Sequence, residues 1–290
     1  MWPHCAALGM LICAALLTAC AAEPNDATSG SDAESLASEA VGASGDAMPA
    51  IYVDQRIISL RSDGTNTELR DYKFTLDICR EKGGAVGALN DEEVAKLGVT
   101  RLQRWFMAGR AAYRSEMFTY SRGAIECQFT LESNGTHAYY DDRQTVAIDL
   151  ATNKKTVSEP LRSNLLTRNL GVPLEEALEH EMATLETHPV AGPPTKQSVA
   201  GVPCLMWHGS NGSGSYCLWS GGTRWGFSIT PSVQNLDSPK DLLLSLVLKQ
   251  ERGPRQHTQI TTERFVVGAS FDIGAMKPKP ATTKSSSKEG

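Results

Sequence analysis

CLMWHGSNGSGSYCLW, residues 204–219, has a cysteine on each side of a run rich in glycine, serine and asparagine. Apolar residues flank this run, and the run itself consists of residues that tolerate positive φ and form tight turns. The pattern predicts two antiparallel strands with a loop at 209–212. Directly opposite residues in a non-hydrogen-bonded pair have the Cβ separation of a disulfide, so we expect Cys204 to face Cys217.

Three tryptophans, Trp207, Trp219 and Trp225, lie in this hairpin or just after it. Tryptophan is favoured at binding hot spots, so the cluster predicts a partner-binding surface. Tryptophan also fills protein cores, because a buried indole removes a large apolar surface from water. At this point both interpretations stay open: a core packed around the disulfide, or a surface that contacts a partner.

The first twenty residues indicate that the chain is exported. An apolar run at 6–17 has the length of a signal peptide and is short for a membrane span. An ordinary secretory signal with an A-x-A-like cleavage site would explain the run. The run ends, however, in Leu17-Thr18-Ala19-Cys20, which resembles the lipobox of bacterial lipoproteins, although no Lys or Arg precedes it.

This resemblance implies that residues 1–19 are a lipoprotein signal peptide and that Cys20 becomes the acylated first residue. Several acyl chains on one residue give stable anchoring, which a single chain does not. In Gram-negative lipoproteins an Asp after the cysteine causes retention in the inner membrane, and here that position is Ala21. We therefore expect a lipid anchor in the outer membrane, on its periplasmic side, in a Gram-negative host.

Four cysteines remain once the signal peptide is removed and Cys20 is acylated. In an oxidising compartment an even number predicts two disulfides, and four cysteines allow three pairings. We expect pairing of nearest neighbours along the chain, which joins Cys79 to Cys127 and Cys204 to Cys217.

Composition divides the mature chain into three parts. Residues 20–50 carry six acids and no base and predict a flexible acidic tether. Residues 51–273 predict one folded periplasmic domain. Residues 274–290 predict a disordered basic tail. No dense stripe of Lys and Arg occurs, so we expect no nucleic-acid partner.

Patterning within the domain predicts an α+β fold: a curved antiparallel sheet, about three helices and two disulfides. Alternation at 51–61 and 68–79 predicts strands, and a helix is expected to begin at Asn90. Two further helices are expected at 172–186 and 238–250. The predicted remaining strands are 112–120, 125–132, 136–140, 145–150, 199–208, 215–220, 224–230 and 257–267.

Motifs of known chemistry are absent from the sequence. The zinc-protease motif H-E-x-x-H fails after His180 and Glu181, because Thr184 occupies the second histidine position. Neither a nucleophile elbow nor a phosphate-binding loop is present. We therefore expect no metal, no cofactor and no catalytic residue; the alternative is an envelope hydrolase that uses His208 and Ser213 in the 208–215 loop.

The segments TKQSVAGVPC and CLWSGGTRWGF resemble bacterial envelope proteins related to the LolA/LolB lipoprotein-carrier superfamily. The resemblance covers roughly residues 72–267. It implies an open, curved antiparallel sheet with helices on its concave side and an apolar cavity for an acyl chain. The two cysteine pairs and the long acidic tether depart from those carriers.

The leading functional hypothesis is a non-enzymatic lipoprotein of the outer membrane, whose periplasmic domain binds a protein or an apolar, lipid-like ligand. Its partners are then the membrane, through the acyl chains on Cys20, and an unknown protein or apolar molecule. The alternatives are an immunity lipoprotein that neutralises a toxin acting in the periplasm and the envelope hydrolase.

Overall fold

The computed structural model describes residues 48–123, 127–160, 192–210, 214–229, 243, 245–253 and 257–279. Within these ranges eleven strands form one open antiparallel sheet, accompanied by three α-helices and two disulfides. The predicted α+β class is confirmed. The strands are β1 (Ile51–Ser59), β2 (Val99–Met107), β3 (Arg110–Arg122), β4 (Phe129–Tyr140), β5 (Thr145–Asp149), β6 (Lys155–Ser158), β7 (Thr195–Val199), β8 (Val202–His208), β9 (Ser215–Trp219), β10 (Val247–Glu251) and β11 (Thr258–Val267). The helices are α1 (Thr67–Glu81), α2 (Asp91–Lys96) and α3 (Ile273–Met276), and a 3₁₀ turn spans Thr223–Trp225.

The strand order places the first and last strands side by side in the middle of the sheet. It reads β6-β5-β4-β3-β2-β1-β11-β10-β9-β8-β7. One meander runs outward from β1 and the other runs inward to β11, and every pair of neighbours is antiparallel. The two meanders are therefore joined through the β1–β11 pair.

Side chains of β1 alternate between two faces of the sheet, which we call inner and outer. Those on the inner face are at most 3% exposed and comprise Ile51, Val53, Gln55 and Ile57. Those on the outer face are Tyr52, Asp54 and Arg56. The main hydrophobic core lies on the inner face and continues into β8 and β9. Because β1 is central, its alternating burial shows that the inner side of the sheet is packed and that the outer side is partly exposed to solvent.

The outer face is covered by helices at two places. Tyr72 of α1 packs edge-on against Tyr120 and Phe129, with ring centroids 5.4 and 5.3 Å apart. Met276 of α3 is fully buried against Ala112 and its neighbours. These helices lie over β3 and β4, so side chains of β1, β2 and β11 between them reach the surface.

The predicted disulfide Cys204–Cys217 is confirmed, but the register of the hairpin differs from the expected one. Cys204 lies opposite Trp219, and Met206 lies opposite Cys217. The connection runs from Gly209 to Gly214, which is longer than the predicted loop at 209–212. The cysteines are thus diagonal neighbours with Cα atoms 5.5 Å apart. A slip of two residues is even, so every side chain keeps its predicted face.

The predicted strand at 68–79 is wrong, because this segment is helix α1. Its N-terminus is capped by Asn66, whose side chain accepts a hydrogen bond from the Leu69 N–H at 3.1 Å. Buried Tyr72 and Leu76 are four residues apart and point to one side, as a helix requires. The second predicted disulfide, Cys79–Cys127, is confirmed and ties the helix to the segment before β4.

Other predicted elements have mixed outcomes. Helix α2 begins after Asn90, which forms a capping box with Glu93. The predicted helix at 238–250 is wrong at its end, where Val247–Glu251 is strand β10. The predicted helix at 172–186 lies outside the described residues.

Packing extends past both predicted boundaries of the domain. Met48 packs against the main core, three residues before the predicted start at 51. At the other end, buried Met276 and exposed Lys277 lie beyond the predicted end at 273, and the Lys277 ammonium is 5.5 Å from the Tyr139 ring centroid. The α3 segment therefore belongs to the domain and not to the tail.

Candidate functional site

A row of polar side chains crosses five strands on the outer face. Arg264 of β11 lies opposite Asp54 of β1, which lies opposite Gln103 of β2. The row continues through Arg114 on β3 to His137 on β4. Because directly opposite residues of paired strands share a face, the sheet fixes the spacing of these groups.

An aromatic pair lies beside this row. Tyr52 and Trp105 are opposite each other on β1 and β2, with ring centroids 5.5 Å apart. The Arg264 guanidinium lies 5.6 Å from the centroid of Tyr52, within cation–π range. We call this group, together with Arg56 on the same face of β1, the outer-face patch: Tyr52, Asp54, Arg56, Arg101, Gln103, Trp105 and Arg264.

Asp54 is the centre of the patch and only 6% exposed. Arg101 donates from Nε to Oδ1 at 3.1 Å and from Nη2 to Oδ2 at 2.6 Å. The Tyr52 hydroxyl donates to Oδ2 at 3.1 Å and accepts from Gln103 Nε2 at 2.7 Å. The hydrogen bond to Asp54 raises the pKa of Arg101, and burial, followed by the Asp54 charge, raises the pKa of Tyr52.

Cations outnumber carboxylates at the centre of this surface. Arg56 lies directly opposite Arg101, and like charges in that position destabilise a sheet. Arg101 is paired with Asp54, whereas Arg56 and Arg264 form no ion pair within the described ranges. Glu263 lies near enough to act on Arg101. The exposed arginines can therefore donate to an anionic or carbonyl-rich partner.

Arg104 lies on the inner face of β2 and is fully buried. Its Nη1 donates to the Ser245 carbonyl at 3.0 Å, and its Nη2 donates to Gln55 Oε1. The Gln55 amide in turn donates to the Val247 carbonyl at 2.7 Å. Burial lowers the pKa of Arg104 to about 9. This network fastens β1 and β2 to the segment that enters β10, so its role is structural.

The structure places the three tryptophans of the sequence analysis in the core. Trp207, Trp219 and Trp225 are 0%, 3% and 6% exposed. Trp219 stacks on Trp225 with centroids 6.0 Å apart and meets Phe227 edge-on at 5.2 Å. Of the two interpretations left open, core packing describes their position, and they present no surface to a partner in this conformation.

Within the described residues, the imidazole of His208 makes no hydrogen bond to a serine of the 208–215 loop. Ser213 lies outside them, and exposed His208 lies opposite buried Ser215. The Ser215 hydroxyl donates directly to Glu251 at 2.9 Å. In a catalytic triad the imidazole stands between the hydroxyl and the carboxylate, which differs from this arrangement.

A polar cleft of about 330 Å³ lies where β1 leads into α1. Its charged side chains are already compensated: Arg61 pairs with Asp71 at 2.7 Å, and Arg70 pairs with Asp63 at 3.4 Å. Hydrogen bonds from Thr65 lower the pKa of Asp63 and keep it ionised. This cleft is lined by Leu60, Arg61, Ser62, Asp63, Thr67, Arg70 and His257.

Two positions from the sequence analysis lie outside the described residues. One is Cys20, the predicted site of acylation, and the other is His180 with Glu181, where the zinc-protease motif fails. Over the described ranges, no three His, Cys, Asp or Glu side chains are arranged to hold a metal ion. Nor is any helix there long and apolar enough to cross a bilayer.

No protein-family model matches this chain, and a search of curated proteins also finds no match. The outer-face patch was not singled out by sequence reasoning, because its members come from three strands far apart in the chain. The one local signal is polar Tyr52, Asp54 and Arg56 alternating with apolar residues in β1. That alternation marks an outward face but does not identify the residues that join it.

Proposed function

We propose that this chain is an outer-membrane lipoprotein, anchored through acylated Cys20, whose domain binds a partner protein without catalysing a reaction. The observation that carries the binding role is the outer-face patch. It presents tyrosine, tryptophan and arginine, the residue types enriched at binding hot spots. The patch lies on the three central strands, beside the part of the outer face that α1 and α3 cover, so its side chains are held by strands that are paired on both edges.

Packing of the inner face favours a protein partner over an apolar ligand. Phe106 is 1% exposed and meets Phe227 edge-on at 5.1 Å, and Trp207 is completely buried. Among the described residues this face is therefore filled by the chain's own side chains. An open antiparallel sheet is what the resemblance to LolA/LolB carriers implies, while the patch favours a polar contact surface over an acyl-chain cavity.

The lipid anchor rests on the sequence Leu17-Thr18-Ala19-Cys20, followed by Ala21. Cells that express the full chain are labelled with radioactive palmitate and fractionated. We expect label on the parent chain and its recovery in the outer membrane. Cys20→Ser should abolish both, and Cys13→Ser, a matched change inside the signal peptide, should leave both intact. Unlabelled parent protein would refute the anchor.

The binding role is tested by photo-crosslinking in intact cells, with p-benzoylphenylalanine at position 58 on the outer face of β1. Crosslinked proteins are quantified for the parent chain, for Tyr52→Ala/Arg264→Ala, and for Arg80→Ala, an exposed arginine on α1. We expect one partner whose yield falls at least tenfold in the patch variant and stays unchanged in the control. Equal yields in all three proteins would refute the role of the patch.

The identity of that partner also separates the alternatives. A toxin delivered from a neighbouring cell would make the chain an immunity lipoprotein, and an envelope component would make it a resident binding protein. Native mass spectrometry of the purified chain gives the third outcome, because a retained lipid would favour the apolar-ligand hypothesis.

A further inference from the structure

The outer-face patch is next to the point where the acidic tether joins the domain. The chain enters β1 at Ile51, and the first outer-face residue of that strand is Tyr52. Arg264 lies over the Tyr52 ring, and Arg56 is on the same face four residues further along the strand. Two arginines without an ion pair among the described residues thus lie close to the end of the tether.

The tether has the complementary charge. Residues 32–46 carry four acids and no base, spaced along a stretch that also contains Leu36 and Val41. From residue 34 to residue 50 the chain spans up to roughly 55 Å when extended, so the acids reach every part of the patch. A segment attached beside its own binding surface experiences an effective concentration on the order of millimolar.

We propose that residues 32–46 of the tether dock on the outer-face patch and compete there with the partner. The proposal rests on the patch being a binding surface, as proposed above, and adds that its ligand chemistry is an acidic extended segment. Carboxylates of the segment accept hydrogen bonds from Arg56 and Arg264, and an apolar side chain covers the partly exposed Trp105. The competition makes partner binding dependent on how far the tether is extended away from the membrane.

Like-charge repulsion within the patch supports this occupant. Arg56 and Arg101 face each other across β1 and β2, and only one of them has a carboxylate partner. An additional anion between the strands removes this repulsion. Because both groups are at the surface, the contact is weak and is screened by salt, which suits an internal competitor that a partner must displace.

Trp105 supplies a natural probe for the test. The mature chain retains four of the five tryptophans, and three of these are at most 6% exposed, so acrylamide quenches chiefly the fluorescence of Trp105. The parent is compared with Asp32→Asn/Glu34→Gln/Glu39→Gln/Asp46→Asn. A matched control, Glu23→Gln/Asp26→Asn, removes tether acids outside the docking segment.

We expect the quenching constant to rise about twofold in the four-site variant, because a millimolar effective concentration leaves a weak segment bound about half the time. The control should behave like the parent. Raising salt from about 0.05 to about 0.5 M should increase quenching of the parent and of the control, but not of the four-site variant. Equal quenching of parent and four-site variant at low salt, or quenching of the control as high as that of the four-site variant, would overturn the proposal.

A second variant tests whether the patch is the docking surface. Arg56→Gln/Arg264→Gln should increase quenching, and adding the four tether substitutions to it should change nothing further. An additional increase would place the tether elsewhere and overturn the assignment. This readout contains no partner, so it can succeed when the crosslinking experiment fails, and the two proposals are separable.

Discussion

The two faces of strand β2 each carry an arginine and an aromatic residue, but these are buried on one face and at least partly exposed to solvent on the other. On the inner face, Arg104 and Phe106 are 0% and 1% exposed, whereas on the outer face Arg101 and Trp105 reach solvent. Arg104 binds neutral acceptors and has a pKa lowered by burial, while Arg101 binds a carboxylate and has a pKa raised by it. The difference teaches that position on the pleat, and not residue type, decides whether an arginine belongs to the core or to the solvent-facing surface.

The largest difference in stability is expected between substitutions of the two neighbouring aromatic residues of β2, Phe106 and Trp105. Phe106→Ala should lower the free energy of unfolding by about 3–5 kcal/mol, because it opens a cavity beside Phe227. Trp105→Ala removes a larger side chain but should cost markedly less, because part of the indole already contacts water. Urea denaturation followed by circular dichroism measures both. Equal losses would show that the outer face is as tightly packed as the core.

The buried arginine comes next in magnitude. Arg104→Ala should cost about 2–3 kcal/mol, since it leaves Gln55 and the Ser245 carbonyl without their donor. Arg104→Met leaves the same two acceptors without a donor, but it keeps most of the volume and removes the buried charge, so it should cost less than the alanine variant, about 1–2 kcal/mol. Urea midpoints of the two variants give the comparison. A methionine variant as unstable as the alanine variant would mean that the lost hydrogen bonds, and not the cavity, account for the whole cost.

The outer-face arginine should matter less for stability. Arg101 is about half exposed, and its pair with Asp54 is partly solvated, so Arg101→Ala should cost about 1 kcal/mol. Arg101→Lys keeps the charge but loses the two-pronged hydrogen bond and should cost about half as much. Thermal denaturation at low and high salt measures both. A loss as large as that of Arg104→Ala would remove the distinction between the faces.

The smallest effect concerns pH and His137, at the end of the outer polar row. Its Nε2 lies 3.0 Å from the Met276 carbonyl, and burial lowers its pKa below the unfolded value of about 6.5. The unfolded chain therefore binds a proton before the folded one as pH falls, and the free energy of unfolding declines below about pH 6.5.

His137→Gln should flatten this part of the pH dependence in urea titrations at about pH 7.5 and about pH 5.5. His257→Gln, at an exposed position, is the matched control for the loss of one histidine. An unaltered slope in His137→Gln would assign the acid sensitivity to other groups.

Much of the architecture was predictable because cysteine pairing and alternation are local signals. The nearest-neighbour disulfides and strands such as β1 and β11 follow from spacing along the chain. Helix α1 was misread because Tyr72, Phe74, Leu76 and Ile78 alternate as in a strand, although Asn66 marked its start. Strand β10 was misread because the apolar run before it fits a helix equally well.

The candidate site was not predictable, for a physical reason. Asp54, Gln103 and Arg264 are brought together by strand register alone, and no local motif encodes the pairing of β1 with β11. Conversely, the tryptophans stood out in the sequence but are core residues, because both faces of the β8–β9 hairpin are buried. Residue type alone therefore singled out tryptophans that are buried, whereas the partly exposed polar and aromatic side chains lie on the outer face of the central strands.

The central pairing of β1 with β11 also determines when, during synthesis of the chain, the sheet can be completed. Gln55 donates to the Val247 carbonyl across 192 residues of sequence, and Ile51 pairs with Val267. The sheet therefore cannot be completed until nearly the whole chain has been made. Pairings this distant in sequence are slow to form. The nascent chain thus leaves the ribosome with its first six strands able to pair with one another but not yet with the last five.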